Sequence, residues 1–166
     1  MVTDVFPALA LGVGKNDKSV MDHPPRNATK DIVSNKSWLA ITVYALIITA
    51  AVVIAVIYAK KVLGVNDQIA NNVAFITLTF AQLFHVFNMS SVKSNWLINE
   101  ITKNKFVWLA LLICNALFAL VYIIPQMRNA LNLIQMPLNL WMICLGAGFL
   151  PLLLIQIYKA IIKKVS

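Results

Sequence analysis

Four long apolar runs limit what this 166-residue chain can fold into. Residues 37–58 are 22 positions without a charge, about 33 Å as an α-helix and enough to cross a hydrocarbon core of roughly 30 Å. Similar runs follow at about 69–88, 106–124 and 137–158. In lipid, every backbone N–H and C=O must be satisfied within its own element, so runs of this length form helices. Hydrophobic residues make up 60% of the chain and the mean hydropathy is +0.79, which excludes an ordinary soluble domain. The expectation is an all-α integral membrane helical bundle of four full transmembrane helices plus an N-terminal partial helix, with the lipid bilayer as its immediate partner.

That partial helix, residues 1–14, spans only about 21 Å and cannot cross alone. It holds Asp4, the one acidic residue inside any apolar segment. A carboxylate at bilayer depth costs roughly 2.5–3.5 kcal/mol on insertion scales, so Asp4 should face a partner, a cavity or an ion. Pro7 has no N–H and leaves the carbonyl of Thr3 without its helical donor. A hydroxyl, a carboxylate and a free carbonyl thus gather within one turn, a set of hard oxygen ligands suited to Ca²⁺, Mg²⁺ or Na⁺. The alternative is that Asp4 simply caps the helix, with Pro7 in its first turn.

The run at 69–88 is the most polar of the four, with Asn71, Asn72, Thr77, Thr79, Gln82, His85 and Asn88. Thr79, Gln82 and His85 recur every three residues, so they share a face that should look into the bundle. Gln82 offers an amide oxygen to a cation, or equally to a neighbouring helix. Ala51 and Ala55 form a small-xxx-small pair for close helix approach. Pro151, after Gly146-Ala147-Gly148, frees the carbonyl of Ala147 with no carboxylate nearby, which suits packing better than ligation. Cys114 and Cys144 each lie in apolar runs and read as small buried hydrophobes. Trp108 and Tyr122 suit the two membrane interfaces, and Asn115 reads as a packing hydrogen bonder.

Charge supplies the orientation. The polar stretch at 15–36, the one at 90–105 and the C-terminal tail fall on one side and carry eleven Lys and Arg; the opposite side carries Lys60, Lys61 and Arg128. The basic excess therefore reads as a topology signal, not as a nucleic-acid footprint, and places the 15–36 loop and the C-terminus in the cytoplasm.

The run Thr3-Asp4-x-x-Pro7-Ala8-x-x-Leu11-Gly12, followed by Met21-Asp22-His23-Pro24-Pro25-Arg26, resembles the end of the sixth membrane helix and the next cytoplasmic loop of type II, calcium-type P-type cation ATPases. The four runs that follow equal the helices that family has left. The resemblance implies that Asp4 and Thr3 are sixth-helix ion ligands and that Gln82 stands where the eighth helix contributes a polar side chain. Gln there is nearer the plasma-membrane type than the sarcoplasmic type, which carries a carboxylate. It further implies Ca²⁺ as the transported cation, a bacterial inner membrane, and a 15–36 loop tied to the phosphorylation domain through Asp22 and Arg26. The family's phosphorylation motif, Asp-Lys-Thr-Gly-Thr, does not occur, nor does a nucleotide-binding or actuator domain. The chain reads as a C-terminal transport region that binds no cofactor alone and is no enzyme by itself. Mg²⁺ and ATP, on this reading, act in the full pump, whose remaining domains and helices are its partners.

Two other classes stay open on the residues alone. A four-span scaffold or accessory protein would use Asp4 only as a cap. An oligomeric secondary transporter is disfavoured because the four full spans hold no charged residue for a proton relay.

Overall fold

The computed structural model describes residues 2–13, 35–90 and 101–165. Among them there are six α-helices and no strand: α1 Val2–Gly12, α2 Asn35–Lys61, α3 Asp67–His85, α4 Lys105–Ile123, α5 Pro125–Ala130 and α6 Leu138–Val165. Four of these, α2, α3 with the 3₁₀ turn Val86–Met89 that continues it, α4 and α6, are long and apolar enough to cross a membrane. Asp22 and Arg26 lie outside the described residues.

Local chemistry accounts for the helix boundaries. Lys60 and Lys61 close α2, and Gly64, at a φ of 64°, turns the chain in a left-handed conformation that lacks a steric penalty only for glycine. Asn66 then caps α3, its Oδ1 accepting from Ile69 N at 2.8 Å, while Asp67 beside the helix start pairs with Lys60 at 2.6 Å. Pro125 ends α4 by forcing Ile124 into an extended conformation, then opens α5 from its first position. Tyr122 ties this corner together: its hydroxyl accepts from Met136 N at 2.9 Å and donates to the Ile134 carbonyl at 3.3 Å. α6 runs seven residues past Tyr158, because Lys159 turns inward and does not close the span.

α3 is the centre of the bundle, packed against both α6 and α2, which also touch each other. Just over half of its span (56%) is buried, against 11% for α2, so the most polar helix is also the most enclosed. α2 buries one stripe against its neighbours, Ala51, Ala55 and Ala59, all nearly inaccessible, and sets the Tyr44 ring edge-on to His85 and Tyr158. The small-xxx-small pair is therefore the contact surface, extended by one turn. α6 answers with Gly148, where an added Cβ would lie 2.7 Å from the Phe80 Cβ and 3.2 Å from the Ala81 nitrogen. Phe80 itself sits edge-on to Phe118 and Trp141, which fastens α4 to the α3–α6 pair. Cys114 and Cys144 are both buried thiols outside any disulfide.

Candidate ion site

α1 is a single short helix with Pro7 buried inside it, and it packs against α4 and α3. Ala10 joins a cluster with Leu83 and Val86 of the α3 end and with Val107, Ala110 and Cys114 of α4. Asn104 fixes this contact. Its Oδ1 accepts from Phe106 N at 2.9 Å, capping α4, while its Nδ2 donates to the Ala10 carbonyl at 3.0 Å, one of the last-turn carbonyls of α1. One side chain thus terminates one helix and starts another.

That anchoring sets the height of the residues named from the sequence. Thr3 and Asp4 lie in the first turn of α1, and Asp4 precedes Ala10 by six residues, or about 9 Å of rise. Gln82 immediately precedes Leu83, which packs in the Ala10 cluster. The side chains of Thr3 and Asp4 are outside the described residues, so what is observed is the pairing of the two helices that carry the three candidates. Gln82 is half-buried and engaged with a neighbour.

The rest of the expected polar face divides. Thr79 is buried, but its hydroxyl donates to the Phe75 carbonyl of its own helix at 2.8 Å. His85 turns to α2 and to Asn88, its ring 5.7 Å from that of Tyr44 and its Nδ1 3.5 Å from the Asn88 amide nitrogen. Both already hold a local partner. Asn72 is buried, and its Nδ2 has no hydrogen-bond partner among the described residues. Asn115 bonds back to the Leu111 carbonyl at 2.8 Å on the exposed side of α4.

No cluster of three or more His, Cys, Asp or Glu side chains occurs among the described residues. A cavity of about 410 Å³ lies at the opposite end of the bundle, lined by Gln68, Arg128 and Asn132 among others; it offers an arginine and no carboxylate, the wrong charge for a cation. Two residues that the linear pattern hid now stand out. Asn104 was legible only as the polar residue one step before an apolar run, the usual place of an N-cap. Lys159 belongs to the C-terminal tail whose charges mark the topology, yet it is buried and donates to the main-chain carbonyls of Asn88 and Ser90.

A helical membrane bundle with a short proline-containing helix against its most polar span fits the architecture of an ion-transport domain. The chain belongs to the cation transporting ATPase C-terminus family, whose model matches residues 1–161. It is 27% identical over 162 residues to calcium-transporting ATPase 1 of Lactococcus lactis, covering 97% of this chain and 18% of that protein. It is 28% identical over 155 residues to the calcium-transporting ATPase of Bacillus subtilis, covering 93% and 17%. A more distant relative, a putative plasma membrane-type calcium-transporting ATPase of Arabidopsis thaliana, is 18% identical over 146 residues, covering 88% and 14%. The chain thus spans less than a fifth of each of these relatives and corresponds to their C-terminal membrane part.

Proposed function

We propose that this chain is the C-terminal transport region of a bacterial calcium pump and that Asp4, Thr3 and Gln82 contribute oxygen ligands to the transported Ca²⁺. The observation that carries the reading is the seating of α1, a helix with Pro7 inside it, against α3 near Gln82. Pro7 withholds a donor from the Thr3 carbonyl, which leaves an oxygen available for a hard cation. Asn115, exposed at the middle of α4, suits a context in which further helices cover that face. The catalytic steps belong to domains outside this chain: phosphorylation of an aspartate there would shift the helices between states with different affinity for the ion. In this setting the 15–36 loop and the C-terminus face the cytoplasm.

The test is a chimera in which this chain replaces the corresponding C-terminal part of the Bacillus subtilis calcium-transporting ATPase. Ca²⁺-dependent phosphoenzyme formation is expected in the chimera and is expected to fall at least about tenfold in apparent Ca²⁺ affinity with Asp4→Asn, the loss of one charged ligand. Gln82→Ala should weaken affinity less. An Asp4→Asn chimera with unchanged Ca²⁺ dependence leaves Asp4 with only a structural role in the first turn of α1.

A further inference from the structure

One face of α6 is buried along its length through Leu140, Cys144, Gly148, Pro151 and Ile155, at steps of three or four. The next position in the stripe is Lys159, 6% exposed. A leucine or methionine would continue such a stripe with no charge to desolvate, whereas a buried ammonium must find oxygen partners. Lys159 finds them in the turn that ends α3: its Nζ donates to the main-chain carbonyls of Asn88 and of Ser90, the latter at 2.8 Å. One turn earlier Gln156 donates to the Phe87 carbonyl at 3.4 Å. No carboxylate pairs with Lys159 among the described residues; the imidazole of His85 is the titratable group within its electrostatic reach. The Oδ1 of Asn88, in a residue only 2% exposed, has no hydrogen-bond partner among the described residues.

Carbonyl oxygens converging on a single positive charge, with no anion among the described residues to neutralise it, are the chemistry by which proteins replace the hydration shell of a monovalent cation. The negative end of the α3 dipole adds to the attraction. We propose that the turn after α3 is a monovalent-cation site whose resident cation is the Lys159 ammonium, and that removing the side chain opens this site to an ammonium-sized ion. The site is separate from the transport reading: it lies at the cytoplasmic end of α3, it takes a monovalent charge, and its occupant is covalently part of α6.

The experiment uses the full 166-residue chain in phospholipid nanodiscs without calcium, so its outcome does not depend on that reading. Lys159→Ala is expected to lower the apparent melting temperature by about 5 °C, with at least half of the loss restored by ammonium chloride and none by tetramethylammonium chloride at equal ionic strength. Lys159→Met, which keeps the stem but not the charge, is expected to lose stability without recovering it in ammonium, because the methyl end fills the site. A Met variant as stable as the wild type, or an Ala variant that is unchanged or unresponsive to ammonium, overturns the proposal. Should the variants not fold, the wild type decides. Labelled Lys159 Nζ must then correlate through space with the labelled carbonyl carbons of Asn88 and Ser90 in a solid-state magnetic resonance spectrum, and the lack of that correlation overturns it as well.

Discussion

Asn104 serves two helices at once, and its two halves can be separated. Asn104→Asp retains the oxygen that caps α4 but cannot donate to the Ala10 carbonyl; Asn104→Ala loses both bonds. The expected losses are about 1 kcal/mol for the Asp variant and about 2–3 kcal/mol for Ala, the sum of a cap and a hydrogen bond. Equilibrium unfolding of the chain in mixed micelles checks the difference, and equal losses would show that the link to α1 contributes nothing. The Lys60–Asp67 pair is shorter at 2.6 Å but sits in the open, with side chains 49% and 86% exposed. Pairs held that openly in solvent contribute little to stability. Distance alone does not rank interactions; the burial of the partners does.

Between elements, the tightest approach is α6 on α3 at Gly148. Gly148→Ala puts a methyl where the Phe80 Cβ and the backbone of Ala81 already are, so the helices must part, at about 1–3 kcal/mol. Two residues away Gly146 meets nothing within 4 Å, and Gly146→Ala should be neutral or stabilise by about 0.5–1 kcal/mol, the helix preference for alanine. Thermal melts of the pair separate packing from propensity: if both variants behave alike, the close approach at Gly148 is not what holds α6. Such contrasts also explain how much could be read from the chain beforehand. Long apolar runs announce their own helices because the bilayer leaves the backbone no alternative, and Ala51 with Ala55 announced a contact because their spacing matches the helix period. Nothing linear separates Gly146 from Gly148, since a difference of 200° around the helix matters only once a neighbour is in place. The same holds for Lys159, whose acceptors are some 70 residues away. At the candidate site the residue types were legible, but Thr79 and His85 were spent on local bonds that spacing cannot foresee.

At the scale of the whole molecule, the eleven-to-three division of basic residues makes a prediction about sidedness. Because Cys114 and Cys144 are buried, neither should take up an impermeant thiol reagent, and single cysteines can be introduced on the native background. Asn129→Cys is expected to label from outside intact cells, and Lys30→Cys only after the membrane is opened. The reverse pattern would invert the assigned topology. The same whole-bundle view bears on how the helices can move. α3 and α6 are keyed together by a glycine that admits no extra atom and by a lysine tied to main-chain carbonyls, so neither can rotate or slip without breaking both. α2 leans on them chiefly through methyl groups spaced one turn apart, with the Tyr44 ring edge-on to His85 and Tyr158. Methyl groups do not interlock, and a track of them resists separation far more than it resists sliding. A push along the bundle axis therefore has one plane of least resistance, with α2 as the runner and α3 and α6 as the rail.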